Sequence, residues 1–198
     1  NREINLEDQI ASGQGQAYGL ELLTQRNSEK LSTWLGYTWS RSERQFDEIN
    51  DGEWFPFRYD RRHEIDFGGV LHWKENVDLS WGWGFATGFA FTLPTVTFTE
   101  IVPAPNEPGQ ENQVRTVAGP RNGQRTPATH RLDVSISFRK EKRWGERTWE
   151  FGLYNFYNRR NPFIVNFYNR RWNENDEYSF WQMSLLPILP MVSYQFKF

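Results

Sequence analysis

Apolar and polar positions alternate with a period of two along most of this chain, and no stretch follows a helical period. Residues 76–92, NVDLSWGWGFATGFAFT, place Val77, Leu79, Trp81, Trp83, Phe85, Phe89 and Phe91 on one side, interrupted by Thr87. Asp78, Ser80, Gly82, Gly84, Ala86, Gly88, Ala90 and Thr92 take the other side. The same alternation runs through 17–25, 30–40, 63–73, 131–140, 148–157 and 191–198. In 30–40, for example, Leu31, Thr33, Leu35, Tyr37 and Trp39 oppose Ser32, Gly36, Thr38 and Ser40. Each of these stretches reads as a β-strand.

The connections alternate as well. Short ones, 26–30, 74–76 and 141–147, alternate with long ones, 41–60 and 93–127. Such asymmetry fits an antiparallel up-and-down sheet with unlike environments at its two ends, as in an outer-membrane barrel. Residues 159–190 allow two readings. They add a strand pair to the wall, giving nine strands, or they form two strands rising above it and meeting at WNENDE (172–177), giving seven. The apolar LLPILP (185–190) favours seven, with Pro187 and Pro190 marking bends or bulges.

Composition sharpens the choice between water and lipid. Mean hydropathy is −0.79, yet the chain carries 10 Trp, 16 Phe and 8 Tyr. Leaving the six Trp, Phe and Leu side chains of 79–91 in water forfeits about 1.5–3 kcal/mol each, a sum of ~10–18 kcal/mol. A domain is stable by only ~5–15 kcal/mol, so this face needs a cover. A soluble β-sandwich could pair such faces, but rings this large on six strands overfill an interior ~10 Å thick. Lipid covers the face without a fitted partner, and a closed barrel satisfies the backbone there. The expected fold is therefore all-β: an antiparallel up-and-down transmembrane β-barrel.

The stretches AYGLEL (17–22), WFPFRYDRRHEI (54–65), HRLDVSISF (130–138), YNFYNRRNPF (154–163) and SLLPILPMVSYQFKF (184–198) together resemble the C-terminal part of TonB-dependent receptors. The resemblance spans nearly all of 1–198. It implies a bacterial outer-membrane location and active ligand uptake, with this chain supplying about the last third of a 22-stranded barrel. Tyr194, Phe196 and Phe198 resemble the signal read by barrel-assembly machinery. The implied partners are outer-membrane lipid, the rest of the barrel and its plug domain, TonB acting through the plug, and a surface lipoprotein. The alternative is an outer-membrane scaffold or adhesin that uses the same wall without transport.

Chemistry-bearing residues are sparse. The formal net charge of −2 offers no basic field for nucleic acid. Cys is absent, so neither a disulfide nor a thiolate site exists. RYDRRHE (58–64) concentrates charge where a long loop returns to the wall. With neighbouring aromatics it gives candidate ligand contacts at Trp54, Phe55, Phe57, Arg58, Tyr59, Arg61 and Arg62. The same residues also suit a salt-bridged rim or an interfacial aromatic belt. Trp172, Tyr178, Phe180 and Trp181 present the same two readings, with Trp172 and Trp181 taken as ligand candidates. The long 94–127 segment reads as an external loop. His63, His72 and His130 do not reach a zinc ligand set by spacing. Asp66, Asp78, Asp133 and Glu150 read as lumen-facing. No catalytic constellation is recognisable, so no enzyme activity and no cofactor are expected.

Overall fold

The computed structural model describes residues 11–103, 110–169 and 178–198. Of the side chains, those of 94–117 and 166–180 lie outside the description. The fold is antiparallel β. Fourteen strands are present among the described residues: β1 Gly13–Asn27, β2 Leu31–Phe46, β3 Phe55–Pro56, β4 His63–Lys74, β5 Val77–Ala86, β6 Ala90–Phe91, β7 Pro94–Pro103, β8 Gln110–Ala118, β9 Gln124–Arg125, β10 Thr129–Lys142, β11 Gly145–Tyr154, β12 Ile164–Asn169, β13 Tyr178–Met183 and β14 Leu189–Lys197. The main sheet runs β1-β2-β4-β5-β10-β11-β14, with β3 added to β2. Its long strands are the seven expected from periodicity, and they are neighbours in chain order.

Two compact units divide the chain. The first, called here the wall unit, comprises 19–40, 61–88 and 126–198; the second comprises the residues up to Tyr18 with 41–60 and 89–125.

In the wall unit, register carries the alternation across the sheet. Leu35 lies opposite Phe67, Phe67 opposite Trp83, and Trp83 opposite Leu132. Farther along β10, Phe138 lies opposite Trp149, and Trp149 opposite Tyr194. Directly opposed residues share a face, so one face is ring-bearing. The other carries small and charged residues, including Asp66, Asp78, Asp133 and Glu150. Gly68 and Gly69 each receive an indole: Trp34 lies over Gly68 on the small-residue face, and Trp81 over Gly69 on the ring-bearing face. A Cβ at Gly69 would stand 2.6 Å from the Trp81 ring, so only glycine permits this approach.

The connections sort by end. The β1–β2, β4–β5 and β10–β11 joints occupy only 28–30, 75–76 and 143–144. The β10–β11 joint is tighter than the sequence suggested, because Gly145 at φ +155 closes it. Joints across 47–62, 87–128 and 155–188 are long.

Three expectations change. Residues 76–92 are not one strand. β5 stops at Ala86, where the Thr87 N–H donates to the His63 carbonyl, and Ala90–Phe91 pairs with Gln124–Arg125 in another sheet. Phe89 and Phe91 therefore do not extend the ring-bearing face. The 94–127 segment is not a plain loop, because β7 and β8 pair along its length from Pro94↔Ala118 to Pro103↔Gln110. Within 159–190, β12 and β13 form a two-stranded sheet of their own, as the seven-strand reading has it, while β14 pairs with β11. Their expected junction at 172–177 lies outside the described residues. Pro190 is the second residue of β14, opposite Leu153, while Pro187 precedes the strand.

Candidate functional site

Two places gather chemistry, one in each unit. In the wall unit, a cavity of about 380 Å³ opens on the sheet, its lining including Trp34, Asp66, Gly82, Gly84, Arg131 and Asp133. Register builds it. One row reads Trp34, Gly68, Gly82, Asp133, and the next Gly36, Asp66, Gly84, Arg131. Bulky groups on β2 and β10 thus flank a glycine floor. With strands spaced about 4.8 Å apart, the trough spans roughly 14 Å. A Cβ at Gly82 would meet nothing within 4 Å, so the floor there is open.

Arg131 is held rather than loose. Its Nε donates to Asp133 at 2.9 Å, its Nη1 to the Tyr154 hydroxyl at 2.7 Å, and its guanidinium lies 4.2 Å from the Tyr154 ring centre. Asp133 also accepts the Asn155 N–H at 2.8 Å. Asn155, only 1% exposed, then clamps the following turn: its side-chain amide donates to the Arg159 and Leu186 carbonyls, and its Oδ1 accepts the Arg159 N–H. Its φ of 54° is one that Asn tolerates better than most residues. The trough therefore offers an indole face, fixed carboxylates and a fixed guanidinium, which together suit a polar ligand with flat or hydroxylated parts.

The second unit is organised around Asp60, 1% exposed. Its Oδ1 accepts the Ser42 N–H at 2.6 Å, its Oδ2 pairs with Arg125, and its carbonyl accepts from the same guanidinium at 2.8 Å. Asn122 adds a second clasp, donating to the Pro56 carbonyl at 2.8 Å while its N–H donates to Thr92. On this frame the candidate contacts fall into different environments. Phe55 is buried and stacks on Phe46, so it serves packing. Phe57 lies under the Arg44 guanidinium and edge-on to Tyr59. Tyr59, 63% exposed, meets Phe89 edge-on and carries Arg58 over its ring. Trp54 is exposed. Tyr59, Arg58 and Phe57 thus form one outward aromatic and cationic surface.

Arg61 and Arg62 belong to the wall unit. Arg61 stands 3.8 Å from Glu64, and the Arg61 and Arg62 carbonyls accept from the Ser40 hydroxyl and N–H. Trp181 is exposed on β13, while Trp172 lies outside the described residues. Each histidine has its own partner: His63 with Tyr37, His72 with Asp78 and His130 with Tyr157. At the short-turn end, Trp149 packs on Tyr194, and Phe196 lies between Trp144 and Phe198.

Trp34 escaped the sequence reading. Its signal was its parity: in KLSTWLGYTWS it is the large ring among the small residues. Comparison of the chain with family models, with curated proteins and with solved structures returned no match.

Proposed function

We propose that this chain supplies wall and outer loops to a bacterial outer-membrane receptor that takes up its ligand by TonB-dependent transport. The observation that carries this reading is the ring-bearing face. Leu35, Phe67, Phe138, Trp149, Phe151, Val192 and Tyr194 all lie on it by register and are all exposed. No described element covers them. Exposed apolar patches of this extent mark an interaction surface, and hydrocarbon is the partner that fits a continuous two-dimensional one. The segregation of short and long joints to opposite ends supports the same orientation, with 28–30, 75–76 and 143–144 on the periplasmic side.

In this reading the small-residue face looks into the barrel. The trough at Trp34 faces the lumen. The motifs that resemble TonB-dependent receptors supply the transport part of the proposal. No step of chemistry is assigned to any residue, and no cofactor is needed.

Phe151→Arg in the intact protein tests the membrane part. Phe151 is 45% exposed at mid-strand. If lipid covers it, the variant loses about 2–4 kcal/mol of stability in vesicles, measured by urea titration. A loss within ~0.5 kcal/mol would mean the face meets water. Site-directed crosslinking to TonB in cells tests the transport part. A membrane-inserted protein that never crosslinks would point instead to a scaffold or adhesin.

A further inference from the structure

The two faces of the wall unit differ at its short-turn end in a way that apolar coverage does not explain. On the small-residue face, every cation named here has an acid. His72 bonds Asp78 at 2.6 Å, Arg139 reaches Asp78 at 3.1 Å and Glu146 at 3.9 Å, and Lys197 lies opposite Glu146 in register. On the ring-bearing face, Lys140 lies directly opposite Arg147, and Arg147 opposite Phe196. Like charges directly opposed on a sheet destabilise it unless an anion sits between them. No carboxylate of β10, β11 or β14 shares that row: Glu141 and Glu146 oppose each other one residue along, on the other face, and the acid toward which the β5 register runs, Glu75, lies in the β4–β5 joint.

Two further observations describe the cations of this face. The Arg147 Nε is buried without a hydrogen-bond partner among the described residues, so an anion arriving from outside meets the two terminal nitrogens of the guanidinium. Lys74 lies on the same face: beyond a bulge it is opposite Val77, which lies opposite Phe138, and its ammonium stands 5.1 Å from the Trp73 ring. The aromatic frame at this rim is equally specific. Trp144, 70% exposed, leans on Phe196, and Phe196 covers Gly145. Exposed indoles beside cations at the edge of an apolar face suit the boundary between headgroups and acyl chains.

We infer that Lys140 and Arg147, with Trp144 and Phe196 beside them, form a binding ledge for the phosphodiester of an anionic glycerophospholipid in the leaflet that meets the short turns. The guanidinium offers a fork to two phosphate oxygens, and Lys140 adds a point charge. The acyl chains lie along Trp149, Phe138 and Phe151. Charge complementarity commits the ledge to an anionic headgroup, since a zwitterionic one brings its own cation. This inference rests on the membrane reading above.

The test uses the intact protein and two kinds of vesicle, phosphatidylcholine alone and phosphatidylcholine mixed with phosphatidylglycerol. Flotation reports insertion, and native mass spectrometry of protein gently extracted from the mixed vesicles reports the retained lipid. The wild type is expected to float with both and to keep phosphatidylglycerol selectively. Lys140→Gln with Arg147→Gln removes two near-surface charges and should cut that retention at least about tenfold. Lys140→Arg with Arg147→Lys should keep it, which separates charge from folding. Lys197→Gln, which removes one charge at the same end but on the other face, should leave it unaltered. Insertion with no headgroup preference, or equal loss in Lys197→Gln, overturns the ledge alone. Failure to float overturns the ledge and the membrane reading together.

Discussion

Between β4, β5, β10 and β11 of the wall unit, position is set by long uninterrupted runs of backbone pairing, such as Ile136↔Phe151 through Lys140↔Arg147. In the second unit, β3, β6 and β9 are two residues each. Outside the β7–β8 hairpin, the chain there is fastened by a few side chains: Asp60 to Ser42 and Arg125, Asn122 to Pro56 and Thr92. The first arrangement spreads its stability over many equivalent bonds. The second concentrates it in single polar groups, whose loss strands a buried partner. Loop-rich regions that must present a defined surface have little else to use, because they lack the ladder that fixes a sheet.

The contrast is broken most directly at Asp60. Asp60→Ala removes the acceptor of the Ser42 N–H and the carboxylate partner of Arg125, whose bond to the carbonyl of residue 60 remains, a change worth about 3 kcal/mol. Hydrogen exchange should show amides at Ser42, Phe57 and Arg125 losing protection while those of Trp83 and Val134 keep theirs. Equal loss in both sets would mean that the two units do not differ in this way.

Asn155 sharpens the comparison from the other side, because it is a concentrated clasp inside the wall unit. Asn155→Ala removes the amide's bonds to Arg159 and Leu186 and adds strain at positive φ, for about 1–3 kcal/mol. Asn155→Gly removes the same bonds without the strain and should cost less; the two variants are compared by thermal unfolding. The smallest effect is expected on the sheet surface. Arg139→Gln breaks solvent-exposed pairs with Asp78 and Glu146 and should stay within ~1 kcal/mol in denaturant titration.

The same contrast explains what could be read from the sequence. The wall strands were legible because sorting rings to one face and small and charged residues to the other writes a period of two: 131–140 is found within Thr129–Lys142, and 63–73 within His63–Lys74. The overshoot at 76–92 came from Phe89 and Phe91, which keep the parity by coincidence. The strand ends where Thr87 turns to His63, and Thr87 was the one break in the pattern. The β7–β8 hairpin was hidden because Pro, Gly and Asn in 94–127 outweighed its Thr- and Val-rich flanks. Asp60 finding Arg125 has no local signature at all, since they lie 65 positions apart. The trough was half legible. Its carboxylates and glycines were placed opposite the rings, but Trp34 was assigned to neither face.

The sorting of joints by length has a kinetic side. Hairpins closed by 28–30, 75–76 and 143–144 bring together residues that are already near, and such hairpins zip within about 1–10 μs. The seams β2/β4, β5/β10 and β11/β14 must wait for closure across 47–62, 87–128 and 155–188, each doubling of loop length adding about 0.6 kcal/mol of entropy to the search. Assembly should thus proceed through preformed two-strand modules that dock edge to edge, with β14 adding singly to β11, and register errors should collect at those three seams.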